Sequence, residues 1–191
     1  METLGKHPSA SPLITELDDA VRAGGVDRIV ARVKDTLVRA SRGKGLSLPA
    51  AFHQPRGECY ARRLLHRSEE LGYTVVVMTW GPAQGTPLHD HAGMWCVECV
   101  ARGELDVTQY DLAESTGDRY RFDRQGKIRA VVGDAGCLIP PFEYHVLSNA
   151  LDDDVTVTVH VYGGEMSHCH AYHPDGEGWW TRERRSLCYH D

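Results

Sequence analysis

The chain has 191 residues, and none of its apolar runs reaches the ~20 residues a helix needs to cross a bilayer. Nothing near Met1 has the apolar core of a signal peptide, because Met1–Lys6 is followed by polar sequence, and a cytoplasmic protein is expected. Excess positive charge is also missing: 21 Lys and Arg stand against 27 Asp and Glu, a net charge of -6. That balance argues against nucleic acid or an anionic membrane as the partner. Cys96 and Cys99 form a C-x-x-C, but no second such pair exists to complete a zinc ribbon. The pair sits in a strand-like apolar run and not at a helix start, which argues against a thioredoxin-type motif. Without a signal peptide, the six cysteines read as thiols of a reducing compartment, not as a disulfide framework. There is no internal repeat, low-complexity segment or evident linker. One domain over 1–191 is therefore expected, as a monomer or small homo-oligomer.

What is present is an ordinary globular composition, 41% hydrophobic and 25% charged, in a chain long enough to bury one real core. The first twelve residues are polar and expected to be loose. Helical spacing of apolar residues predicts helices over Leu13–Ala23 and Val26–Ala40, divided by Gly24-Gly25. The second carries a stripe of Val26, Ile29, Val30, Val33, Leu37 and Val38 and ends in Ser41–Gly45. After a connector over 46–59 the pattern changes to short strands: Tyr60–Leu65, Tyr73–Trp80, Met94–Ala101, Glu104–Leu112, Tyr120–Phe122, Ile128–Val132, Gly136–Ile139, His145–Asn149 and Val155–Tyr162. Asp123–Lys127 and Asp152–Asp154 read as turns, His168–His173 as a polar loop, and Trp179–Arg182 as a further edge strand. Trp179-Trp180 reads as core or as a lid. Short strands at close spacing with Gly, Pro and Asp turns predict a mainly β sandwich or barrel. It would span about 58–185, behind a helical segment of about 1–50.

The compositional excess is histidine, with eleven in the chain. His89 and His91 flank Asp90 just after a Gly/Pro turn. On an extended segment the period of two puts both imidazoles on one face, with Asp90 opposite. Two neutral imidazoles on one face begin a transition-metal site. His145 follows Pro140-Pro141 and opens an apolar strand, which makes it the best third ligand. On Val155–Tyr162 the same period puts Thr158, His160 and Tyr162 on one face and the valines on the other.

These spacings resemble the cupin superfamily. His89-x-His91, four residues, Cys96, six residues and Gly103 match its first motif, with Cys96 where a glutamate ligand would stand. Pro140…His145-x-x-x-Asn149 matches its second, with Phe142 in place of a glycine. The cysteine substitution resembles the cysteine dioxygenase family, and other segments are similar to it. Tyr60-x-Arg62 is like its carboxylate-binding segment. Thr158-x-His160-x-Tyr162 is like its Ser-x-His-x-Tyr strand, with the hydroxyl kept. Cys169-His170 is like a Cys-His pair downstream. Arg63 stands where animal-type members have Asn. The likeness runs from about Tyr60 to His170.

The resemblance implies a jelly-roll barrel and a non-haem Fe(II) thiol dioxygenase, with O2 as co-substrate and a small thiol-carboxylate as partner. It implies His89, His91 and His145 as metal ligands and Arg62, with Tyr60, as the substrate-carboxylate site. It further implies Thr158, His160 and Tyr162 as a relay that fixes the His160 tautomer and aims the Tyr162 hydroxyl, and Cys96 and Tyr162 as a pair some members join by a thioether. Arg62 favours L-cysteine as substrate. It would also serve mercaptosuccinate, whose second carboxylate asks for another cation such as Arg56, Arg63 or a histidine, while 3-mercaptopropionate is a further alternative. A different metal-dependent cupin, an isomerase using Glu98 or Glu143 as acid/base, or a non-catalytic ligand-binding cupin, is the alternative class.

Overall fold

The computed structural model describes residues 11–43 and 46–191. The expectation of a loose segment over 1–10 and the end of the second helix at Lys44-Gly45 lie outside the described residues. Ser11 and Pro12 are not loose: the first helix, α1, is Ser11–Val21, and α2 is Val26–Arg42. Gly24 and Gly25 both take positive φ (69° and 76°), which lets the chain reverse between the helices where a side chain would be strained. The stripe of α2 buries Val30, Val33 and Leu37, but Val26 is exposed because it begins the first turn beyond the packed face. Among the described residues, no helix is long and apolar enough to cross a membrane.

Eleven strands follow a short 3-10 turn at Ala50–His53: β1 Ala61–Ser68, β2 Tyr73–Trp80, β3 Leu88–His89, β4 Cys96–Arg102, β5 Glu104–Thr116, β6 Arg119–Val131, β7 Ala135–Leu138, β8 Tyr144–Asn149, β9 Thr156–Tyr162, β10 His168–Pro174 and β11 Trp180–Ser186. One sheet has the order β1-β2-β9-β4-β7. The pairings of the other run β10-β11-β6-β5-β8-β3 and close back on β10. The architecture is mainly β, a cupin-type jelly-roll barrel with two short helices at the N-terminal side.

The first sheet is buried on both faces, which is why β2 and β9 have no exposed residue. One face packs Val75, Val77, Val97, Val157, Val159 and Val161 against Leu13, Leu17, Val33 and Leu37 of the helices. The other turns Val76, Met78, Trp80, Cys96 and Tyr162 into the barrel. Apolar burial on the helix side, at about 25 cal/mol per Å² removed from water, is the main force holding the helical pair to the sheet. The second sheet alternates too. On β8, His145, Leu147 and Asn149 are buried, while Tyr144 and Val146 join an aromatic cluster with Phe122, Tyr172 and Trp180. Gly103 closes the β4–β5 hairpin at φ 76°, and a Cβ there would meet Thr156 Oγ1 at 2.6 Å.

Three expectations are corrected. Asp123–Lys127 is not a turn between two short strands. β6 runs through it, paired to β5 with register shifts at Gln109/Tyr110 and Leu112/Glu114, and the chain reverses at Gly117-Asp118. The polar residues that suggest a turn face solvent on an extended ribbon whose backbone is satisfied across the pair. His168–His173 is not a loop. It forms most of β10, paired along its length with β11 and at Ala171 and Tyr172 with β3. Trp180–Ser186 is an internal strand and not an edge, since β11 also pairs with β6.

Candidate metal centre and the cleft beside it

His89 and His145 are direct cross-strand partners on β3 and β8. The chain leaves β3 at His89 and turns tightly through Asp90, Ala92 and Gly93, the last two at positive φ, which brings His91 to the same point. Asp90 fixes this turn from the opposite side. Its Oδ1 accepts from the Ala92 N–H (3.2 Å) and the His170 N–H (2.9 Å). Its Oδ2 lies 2.9 Å from His170 Nδ1 and accepts the Tyr172 hydroxyl at 3.2 Å. Glu143 Oε2 accepts the His91 backbone N–H at 2.7 Å.

The ligand atoms of His89, His91 and His145 all lie within 4.8 Å of one another. Each Nδ1 is turned outward to an oxygen: His89 to the Pro87 carbonyl at 3.1 Å, His91 towards Glu143 Oε2 at 3.8 Å, His145 towards Glu98 Oε1 at 3.5 Å. The proton of His89 and of His145 therefore belongs on Nδ1, and the Nε2 atoms carry lone pairs. His89 Nε2 and His145 Nε2 face each other at 3.2 Å. Two lone pairs so close repel unless a cation sits against both, so the donor set fits a transition-metal ion bound through Nε2. Burial first, then neighbouring histidines, lowers the pKa of His89 to about 3 and that of His91 well below its usual value. Both imidazoles are neutral at pH 7, as ligands must be.

Cys96 stands opposite Tyr162 across β4 and β9 as a direct cross-strand partner. Both are buried, and burial raises both well above their ordinary values. Thr158 Oγ1 lies 2.7 Å from His160 Nε2 and accepts the Trp80 indole N–H at 2.9 Å. The expected relay stops there. The other nitrogen of His160, Nδ1, faces Glu98 Oε2 at 3.6 Å, so no hydrogen bond runs from His160 to Tyr162. Their rings lie nearly parallel, 6.0 Å apart. Parity along β9 aligns the three side chains but does not choose which atoms they offer each other.

A cleft of about 50 Å³ adjoins the histidines, with Tyr60, Arg62, Trp80, Tyr162, Cys169 and Arg185 in its walls. Arg62 is 3% exposed. Its Nη1 donates to the Cys188 carbonyl and its Nη2 to the Met166 carbonyl, each at 3.2 Å, while Nε has no partner. Residues 187–191 lie over it. Arg62 N–H donates to His190 Nδ1 (2.9 Å), His190 N–H returns to the Arg62 carbonyl (2.7 Å), and the Tyr189 ring lies 5.2 Å from the guanidinium. Tyr60 stacks on Trp80 at 4.4 Å. Of the further cations considered from sequence, Arg63 instead donates to the Asp191 carbonyl. The second guanidinium in the cleft wall is Arg185, whose Nε donates to Glu183 at 3.1 Å.

Sequence reasoning weighed Glu98 only as an acid/base and missed its contacts. Strand parity already put it on the face of Cys96, and a carboxylate inside the apolar run Met94–Val100 was the available signal. Burial alone would raise its pKa, but His145 first, then His160 and His89, outweigh this and hold it below the usual carboxylate range. Asp90 and Glu143 as anchors, and β10 as the strand Asp90 grips, had no local signal. Asn149, in the second motif, clamps the barrel: its Nδ2 donates to the carbonyls of Trp80, Gly81 and Asp154.

The family model for cysteine dioxygenase type I matches residues 6–175. The cysteine dioxygenases type 1 of rat (Rattus norvegicus) and mouse (Mus musculus) are each 24% identical over 130 residues, 66% of this chain and 60% of the relative. The match thus spans about 60% of the length of these relatives. A double-stranded β-helix protein from Klebsiella pneumoniae is similar at 17% identity and a TM-score of 0.47, covering 72% of this chain and 97% of that one. The three converging histidines, Cys96 beside Tyr162 and the matched span of 6–175 identify this chain as a member of the cysteine dioxygenase type I family.

Proposed function

We propose that the protein is an iron-dependent thiol dioxygenase that adds both atoms of O2 to the sulfur of a small mercapto-carboxylic acid, giving a sulfinic acid, with L-cysteine as the leading substrate. One observation carries the reading: three imidazoles converge with no carboxylate among them, beside a cleft that holds a buried guanidinium. An Fe(II) ion held by His89, His91 and His145 would supply a redox centre and a Lewis acid that favours the thiolate form of a substrate. The remaining roles belong to the chain. Arg62 would exchange its carbonyl partners for a substrate carboxylate, a stronger, charge-assisted contact. Tyr60 lines the same wall. The Tyr162 hydroxyl, held beside Cys96, would donate a hydrogen bond towards the reacting sulfur side of the cleft. Thr158 and Trp80 keep His160 in one tautomer.

Arg185 in the cleft wall favours a second reading, in which a mercapto-dicarboxylate such as mercaptosuccinate is the substrate and Arg185 meets its second carboxylate. The six cysteines are free, which supports a reducing, cytoplasmic setting, and we take the chain to act as one domain, alone or as a small homo-oligomer. Metal analysis and O2 uptake by the iron-loaded protein on cysteine, mercaptosuccinate and 3-mercaptopropionate test class and substrate together. Thiol-dependent O2 consumption with sulfinate product is expected, fastest on cysteine. No consumption with any of the three would refute the assignment.

A further inference from the structure

Glu98 lies between two histidines, only one of which is a metal ligand. Its side chain is 8% exposed. Oε1 is 3.5 Å from His145 Nδ1 and Oε2 is 3.6 Å from His160 Nδ1. Neither Nδ1 has a hydrogen-bond partner, and neither has Glu98 Oε2. The proton positions follow from the contacts on the far side of each ring. Thr158 Oγ1 accepts the Trp80 N–H and keeps its own proton to give to His160 Nε2; with Glu98 facing the other nitrogen, the arrangement in which every group finds a partner type has the His160 proton on Nδ1. His145 Nε2 faces the metal position beside His89 Nε2, so its proton is also on Nδ1. Two N–H groups therefore aim at one carboxylate. A carboxylate accepts both, whereas an amide of the same shape offers an oxygen to one and an NH2 to the other. Gly136 stands across the sheet from Glu98, and a Cβ there would touch Glu98 Oε1 at 3.4 Å without displacing it.

A second cavity, about 510 Å³ and open to solvent, lies between α2 and the barrel. Glu98 and Thr158 line it together with Lys34, Ala130, Gly136 and Leu138, and it shares no wall residue with the cleft that holds His145 and His160. Glu98 thus borders a cavity separate from the substrate cleft.

We propose that Glu98 is a positioning residue of the metal centre, a single carboxylate that fixes the Nδ1–H form of ligand His145 and of His160, and that the second cavity gives small carboxylates access to its place. The proposal rests on the metal-centre reading above. It also adds to that reading a carboxylate directly behind His145, outside the ligand set itself.

The test uses Co(II) with no thiol present, reading affinity by chelator competition and ligand geometry by the visible spectrum. Glu98→Gln, which keeps the shape, is expected to weaken Co(II) by about 10–100-fold and to shift the spectrum. Glu98→Ala is expected to behave alike, and added formate, entering by the open cavity, is expected to restore affinity and spectrum in Glu98→Ala but not in Glu98→Gln. Wild-type affinity and spectrum in folded Glu98→Gln would overturn the proposal, as would formate having no effect on Glu98→Ala. Failure of the wild-type protein to bind Co(II) or Fe(II) would instead overturn the metal-centre reading, and this inference with it.

Discussion

Replacing Arg62 by glutamine separates substrate binding from every other role this residue has. Arg62 is buried with an unpartnered Nε and two terminal nitrogens on carbonyls at 3.2 Å. A carboxylate bound there gains hydrogen bonds to a charged group, each worth about 1.5–3 kcal/mol in burial, against roughly 1 kcal/mol for the neutral carbonyl contacts it displaces. Glutamine retains one donor group and loses the charge. The net loss is then about 2 kcal/mol or more, which at about 1.4 kcal/mol per tenfold is roughly a 30-fold fall in kcat/KM. The structural side effect is separate. The shorter amide leaves the Cys188 or Met166 carbonyl without its donor, at a cost of roughly 1–3 kcal/mol in stability that a denaturant titration would read. The kinetic assay is O2 uptake by iron-loaded protein over a range of thiol concentrations, run on L-cysteine and on cysteamine, which lacks the carboxylate. The expected result is a large rise in KM for cysteine with little change for cysteamine. An equal loss on both thiols would mean that Arg62 acts through the fold of residues 187–191, and no loss on either would mean that it does not meet the substrate. Arg62→Lys keeps the charge but not the planar fork, and is expected to fall between glutamine and wild type.

Two further outcomes follow from the geometry. Cys96 and Tyr162 face each other as direct cross-strand partners, so iron-loaded protein exposed to thiol and O2 is expected to lose two hydrogens in intact mass. Cys96→Ser and Tyr162→Phe should each abolish the loss, and a loss that persists in either variant would rule out this pair. In metal-free protein, burial holds His89 to about 3 and His160 to about 4, below the ~6.5 of an unfolded chain. Between these values the unfolded state binds more protons, so stability is fully present above pH ~6.5 and falls as the pH drops towards 4 and then 3. A melting temperature that is flat from pH 8 to 7 and declines below ~6.5 is expected, while a melting temperature that rises on acidification through that window would contradict the neutral, buried histidines.

Much of the architecture was legible because strand periodicity is a local property. Tyr73–Trp80 emerges as a strand with the boundaries its apolar run suggests, and the alternation of Thr158, His160 and Tyr162 with the valines sends one set to the barrel and the other to the helices. Where the local pattern was polar it misled. Gln125-Gly126-Lys127 carries turn residues but lies mid-strand, because the long partner β5 satisfies its backbone. His168–Pro174 carries three histidines yet is a strand between β11 and β3.

For the site, the amino-acid sequence by itself determined the donor types and their faces: His89 and His91 about Asp90, His145 behind its prolines, and a cysteine where a carboxylate ligand would stand. Only the tertiary structure decided which atom each donor presents. Pro87, Glu143 and Glu98 take the Nδ1 sides of the three imidazoles, so the Nε2 atoms converge. It also decided that Glu98 faces two histidines, that His160 answers to Thr158 and not to Tyr162, and that Arg185, far along the chain, shares the cleft wall with Arg62. The physical reason is that parity along one strand fixes a side chain's face, while its partners come from strands paired across the barrel, whose register no local pattern of residues contains.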